Sequence, residues 1–231
     1  VRDLEARVRK IVADLIDPSL AAEPFDAATL RRFQKLFQLT REERESVLRV
    51  LAETEQEATG SMGDDTPFAV LSHHVRPLYD YFRQAFAQVT NPPIDCIREE
   101  IITDAPMPSR QVIEMKPENA RQVMLNSPVL SQRKLRQLLL LPEFVEAHVR
   151  LDLYLLHGET LQEGLQRLCR EAEFAVRAGC ILLLLSDRFP EPGCLPIHAL
   201  LATGAIHHHM VHVGLRCDCN LIIETGTARD P

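Results

Sequence analysis

The sequence predicts an α/β fold, with a helical N-terminal part followed by parallel βαβαβ units. Three observations carry that reading. Apolar residues recur at helical spacing in the first part of the chain. From Val149 onward, short apolar runs alternate with amphipathic helical stretches. The longest apolar run, Ile181 to Leu185, has the length of a buried strand. Strands that alternate with helices imply crossovers, and crossovers join parallel strands.

The elements are expected in this order. Leu4, Val8, Ile11, Val12 and Leu15 form a helical stripe that Asp17-Pro18 stops, because proline disfavours a helical residue before it. Leu30, Phe33 and Phe37 mark a second helix. Thr40 with Glu43 is a capping box that opens a third, with Val47, Leu48 and Leu51 on its apolar face. Gly60 to Pro67 reads as a loop. A fourth helix begins near Pro77, with Leu78, Phe82, Ala85, Phe86 and Val89 on one face, and stops at Asn91-Pro92-Pro93. Ile94 to Glu100 fits a short helix. Thr103 to Ser127 is polar and dotted with proline, and is expected to be an irregular connection.

The last third is expected to be regular. Val149 to Leu155 reads as a strand. Thr160 and Glu163 form a second capping box, before a helix carrying Leu161, Leu165, Leu168, Ala172, Ala175 and Val176. Gly179 suits the position just past its end. Cys180 to Leu185 is the next strand. Pro196 then opens a helix with Ile197, Leu200, Leu201, Ala205 and His208 in one stripe, and Gly214 closes it. Asn220 to Glu224 is the final strand. A terminal strand with no covering helix, and a chain starting at Val1 and not Met, lead to the expectation of a fragment. The expected division is a helical segment, 1–58, and an α/β domain, 59–231.

Composition narrows the functions. The chain has 231 residues, 45% of them hydrophobic, enough for a sizeable core. The formal charge of −7 argues against a nucleic-acid partner, which needs clustered Lys and Arg. No apolar run approaches the roughly 20 residues that span a bilayer, so no membrane association is expected. No signal peptide is expected from the densely charged N-terminal stretch, and none of the six cysteines forms a Cys-x-x-Cys pair, so reduced thiols in a cytoplasmic protein are expected. Cys217 and Cys219 are expected on one face of a strand, as small apolar fillers.

Three motifs bear on chemistry. His207, His208, His209 and His212 look metal-binding, and His208 and His212 have the i, i+4 spacing of a zinc helix. The Glu of a metalloprotease helix is missing, and successive helical side chains point about 100° apart, so packing or surface roles are expected and no metal site. Ser186-Asp187-Arg188 and Glu224-Thr225-Gly226 follow neighbouring strands, where parallel sheets place ligand sites. Asp187 and Glu224 are therefore the candidate ligand-site residues, against the plainer reading of a local ion pair or cap. No nucleophile-base pair accompanies them, and no catalytic residue is assigned. Gly60 to Thr66 lacks the Lys of a phosphate loop, and Asp64 and Asp65 would repel phosphate.

Several stretches together resemble the central domain of the glutamate synthase large subunit. They are Arg31 to Thr40, Glu57 to Ser72 with its Ser-Met-Gly-Asp-Asp-Thr-Pro, and Leu78 to Asp95 with its Thr-Asn-Pro-Pro-Ile-Asp. Ser127 to Ser131, Leu184 to Arg188, Pro196 to His209 and Asn220 to Arg229 complete it. The chain departs from the family pattern at Cys96, where proline is usual, and after Glu100. The resemblance implies an α/β domain like a reduced or partial barrel. It would link a glutaminase domain to an FMN-binding barrel in one polypeptide and wall the tunnel that carries ammonia between them. It also implies FMN and iron–sulfur clusters in the parent but none in this segment, and a reductase small subunit as a partner through the parent. By the same resemblance Thr90 and Asn91 line the tunnel. The alternatives are a non-catalytic ligand-binding α/β domain, or a metalloenzyme built on the histidines.

Overall fold

A computed structural model of the protein describes residues 9–11, 25–54, 71, 105–108, 122–125, 130–142, 144–188 and 193–228. In chain order the elements are β1 (Arg9–Ile11), α1 (Ala27–Leu36), α2 (Arg41–Glu43), α3 (Arg49–Thr54), β2 (Ala105–Pro108), β3 (Gln122–Leu125), α4 (Gln132–Leu139), β4 (His148–Asp152), α5 (Leu161–Arg177), β5 (Leu182–Ser186), α6 (Ala199–His212) and β6 (Asn220–Glu224). A π-helical turn, Arg44–Leu48, joins α2 to α3. The chain divides into two compact units, Val1–Glu23 with Ile94–Thr227, and Pro24–Pro93 with Ala228–Pro231.

The larger unit contains a parallel sheet of order β4-β5-β6. It is the predicted βαβαβ arrangement, and its three strands leave it an open sheet among the described residues. Leu151 of β4 and Leu183 and Leu185 of β5 share one core with Leu168, Ala172, Ala175 and Val176 of α5 and Ala199, Ala202, Ile206 and Met210 of α6. Both crossover helices therefore cover the same face of the sheet. Side chains alternate along strands, so Leu182 and Ile222 turn the other way, where they pack with Leu138 of α4 and with Phe144. β5 has helices or loops on both sides and is buried along its whole length.

The helix ends follow the expected chemistry. Thr160 and Glu163 form the predicted capping box on α5. Gly179 follows its C-cap with φ 105°, and Gly214 follows the C-cap of α6 with φ 74°, conformations that cost glycine little. In the smaller unit Asp26 caps α1, and the predicted Thr40–Glu43 box opens α2.

Several expectations are corrected. Arg9–Ile11, expected within a helix over Leu4 to Leu15, is a strand parallel to β3. Pairing with a distant strand overrides a local helical period. The stretch Thr103 to Ser127, expected to be irregular, contains β2 and β3 as an antiparallel pair. The sheet order β1-β3-β2 makes β2 an edge, where Pro106 and Pro108 are tolerated because one side needs no backbone donors. α4 has no counterpart in the expected elements. The helix expected from Pro196 begins at Ala199 with His198 as its cap, and Pro196 bridges Tyr154. Its buried face is Ala199, Ala202, Ile206 and Met210, while Leu200, Leu201 and His208 are exposed. This helix is apolar nearly all round, so periodicity could not select a face. Cys217 sits in a 3-10 turn, Arg216–Asp218, and Cys219 precedes β6, so the two do not share a strand face. Gly60 to Pro67, the Pro77 helix, Ile94 to Glu100, and Thr90 and Asn91 lie outside the described residues.

Candidate site at the strand ends

Parallel pairing aligns the carboxyl ends of the three strands. In register, Asp152 stands beside Ser186, and Ser186 beside Glu224. This row is polar where the rest of β5 is leucine, and Ser186 within it is still buried. The predicted residues Asp187 and Glu224 are brought together by it. Ser186 Oγ donates to Glu224 Oε2 at 2.7 Å, and Arg188 Nη1 donates to Glu224 Oε1 at 3.1 Å. The Arg188 backbone N–H also donates to Ser186 Oγ, at 3.3 Å. Each Glu224 oxygen thus has an internal donor.

Asp187 is 1% exposed. Thr225 Oγ1 donates to its Oδ2, and the Gly226 N–H donates to its Oδ1 at 3.1 Å. Its own backbone N–H donates to the Glu224 carbonyl at 3.2 Å. Burial pushes the Asp187 carboxyl above the usual range, the Thr225 and Gly226 bonds oppose this, and the nearby Glu224 charge adds to it. Asp187 therefore staples the end of β5 to the turn after β6. Thr227 N–H donates to Thr225 Oγ1 at 3.0 Å and tightens the same turn.

One member of this row, Asp152, was not singled out from the sequence. Asp152 is exposed and pairs with Arg150, at 2.9 Å between Nε and Oδ1. Its signal was the alternation of β4, which sends His148, Arg150 and Asp152 to the face opposite Leu151.

The histidines go to different partners. His207 Nδ1 accepts from Arg216 Nε at 3.0 Å, and its ring meets His208 edge-on at 5.2 Å between centroids. His209 Nε2 lies 2.8 Å from Glu173 Oε2, joining α6 to α5. Arg177 first and His209 second hold the Glu173 carboxyl below its usual range. Among the described residues no group of three or more His, Cys, Asp or Glu is placed to hold a metal ion. No helix among them is long and apolar enough to cross a membrane.

The loop into α5 is tied down by Arg167. It donates to Glu159 Oε1 at 2.9 Å and to the Tyr154 carbonyl at 2.6 Å, and it bonds Glu171 on the next turn. Arg167 is also the main cause of a lowered Glu159 pKa.

Fold and site together define an α/β domain of parallel strand–helix units whose polar strand ends are knitted by internal bonds. The family described as the glutamate synthase central domain matches residues 32–231, and the chain belongs to that family. It is 42% identical over 210 residues to ferredoxin-dependent glutamate synthase 2 of Synechocystis, covering 87% of this chain and 13% of that protein. It is 40% identical over 211 residues to the chloroplastic ferredoxin-dependent glutamate synthase 2 of Arabidopsis thaliana, covering 86% and 12%. It is 38% identical over 220 residues to the NADPH glutamate synthase large chain of Azospirillum brasilense, covering 92% and 14%. The chain thus spans only 12–14% of the length of these relatives.

Proposed function

We propose that this chain is the connecting domain of a glutamate synthase and forms part of the wall of its ammonia tunnel. In that reading the parent converts glutamine, 2-oxoglutarate and a reductant into two glutamates. A glutaminase domain and an FMN-binding barrel flank the connector in the same polypeptide. FMN and iron–sulfur clusters belong to the parent outside this segment, and a reductase small subunit can join through it. The observation that carries the reading is the family match over residues 32–231, in relatives of which the chain covers 12–14%. The division at residues 58 and 59 belongs to the same proposal.

Thr90 and Asn91 are the proposed tunnel-lining residues. Pro92 and Pro93 follow them, fix the backbone and remove two N–H donors. Such a wall is polar enough for a small neutral base and stiff enough to stay open. Asn91→Trp in the full-length enzyme is expected to lower glutamine-dependent glutamate synthesis while synthesis from added ammonia survives. Loss of both activities together, or of neither, would rule the tunnel role out.

A second reading, a small-ligand site at Asp187 and Glu224, is favoured by their place at adjacent parallel strand ends. A ligand there would have to displace Thr225 or Arg188 from its carboxylate. A thermal-shift screen with FMN, glutamine and 2-oxoglutarate tests it, and a shift that Glu224→Gln abolishes would favour this reading over the first.

A further inference from the structure

Helices α5 and α6 leave a groove of about 630 Å³ between them. Leu161, Leu165, Cys169 and Ala205 give it apolar walls, and Arg170 and His209 also line it. Leu161 is exposed there, although nothing about a helix start requires leucine at the surface. The charges around the groove are unequal in their partners. Arg167 and Arg177 hold Glu159, Glu171 and Glu173, and His209 shares Glu173. The Arg170 side chain makes no ion pair or hydrogen bond among the described residues. Its charge reaches Glu159 and Cys169 only through space.

We infer that this groove docks an apolar segment of the longer polypeptide, one that brings a carboxylate to Arg170. The inference rests on the reading of this chain as one part of a larger enzyme. Two observations select that occupant. The chain spans only 12–14% of its relatives, so most of such a polypeptide lies outside it and supplies neighbouring surface. The groove pairs apolar walls with one uncommitted guanidinium, and Arg fits a planar carboxylate through paired hydrogen bonds. Inter-domain contacts of this kind combine a buried apolar centre with a polar rim.

Cys169 reports on the groove directly. Burial pushes its thiol above the usual pKa, and a docked segment that buries it further is expected to slow its alkylation. The test is alkylation by N-ethylmaleimide, followed by peptide mass mapping, on the 231-residue chain and on the full-length gene product. Each rate is referred to the same thiol in denaturant. We expect Cys169 to react about tenfold or more slowly in the full-length protein, the ratio of roughly 1.4 kcal/mol of docking. Arg170→Glu, or Arg170→Gln should the first variant fail to fold, is expected to restore the rate of the short chain. Equal rates in a long gene product overturn the docking and leave the connector reading standing. Protection that grows with the concentration of the short chain assigns the groove to a second copy and also overturns it. A gene product no longer than this chain overturns both readings.

Discussion

The α5–β5–α6 region and the helices α1 to α3 use similar local devices on different foundations. Each has a threonine–glutamate capping box, at Thr160–Glu163 and at Thr40–Glu43. Each carries arginine–glutamate pairs one helical turn apart, at Arg177–Glu173 and at Arg49–Glu45. Yet α5 buries Leu168, Ala172, Ala175 and Val176, while α1, α2 and α3 have no buried residue. The comparison teaches that caps and ion pairs set where a helix begins and ends, while burial decides how firmly it is held.

The largest expected effect breaks the burial side. Leu183→Ala empties a fully buried position in β5 and should cost about 2–5 kcal/mol in denaturant unfolding. Leu51→Ala in α3, at an exposed position, should stay within about 0.5 kcal/mol. Equal losses would mean that the smaller unit is held by burial as well.

Gly164→Val probes the same core from its edge. A Cβ there would lie 2.6 Å from Leu155 Cδ2 and 3.1 Å from Ile197 Cδ1. Both are side-chain ends that yield to one methyl group but not to a branched side chain. The expected loss is about 1–3 kcal/mol. Gly164→Ala should be nearly neutral, since better helix propensity offsets the displacement.

The matched caps sharpen the contrast. Thr40→Ala and Thr160→Ala each remove an N-cap of about 1 kcal/mol. Hydrogen exchange should accelerate throughout residues 41–54 in the first variant. In the second only the first turn of α5 should loosen, because its buried face retains the rest. Fraying of the whole of α5 would contradict this.

The smallest effect lies in the pH dependence. Asp187 is raised by burial, so its folded carboxyl binds a proton more tightly than the unfolded one. Stability from this group is therefore full at low pH and declines as pH rises through the raised pKa. Asp26 behaves oppositely. Its cap bonds, led by the Thr29 side chain, lower its pKa, and its contribution is lost as pH falls through that lowered value. Asp187→Asn, read by denaturant midpoints from mildly acidic to neutral pH, should gain stability relative to the natural chain as pH rises. A constant difference would show that burial does not govern this carboxyl.

The legible parts of the fold were those with local chemistry. Thr160, Glu163 and Gly179 mark the ends of α5 through bonds that span a single turn. The apolar run Ile181–Leu185 before Ser186 has the length of a buried strand and lies between amphipathic helical stretches. β1 and β2 were not legible, since what makes Arg9–Ile11 and Ala105–Pro108 strands is a partner at Gln122–Leu125. Near-uniform apolarity hides which face of α6 meets the sheet, here the one carrying Ala199, Ala202, Ile206 and Met210. At the strand ends, the topology rule picked Asp187 and Glu224. It was silent on Asp152 and on the bonds that occupy both carboxylates, which depend on register.

The completely buried β5 also shapes how the chain is made. Ile181 to Leu185 emerges from the ribosome before Asn220 to Glu224, so for that interval one edge of an uncharged leucine strand has no partner. Short segments of this kind associate between chains. Asp187 and Arg188 follow it immediately and place two charges where a second copy would stack. The pair that later staples and bridges the finished turn thus stands guard over the nascent strand, as charged gatekeepers do beside unavoidable apolar runs.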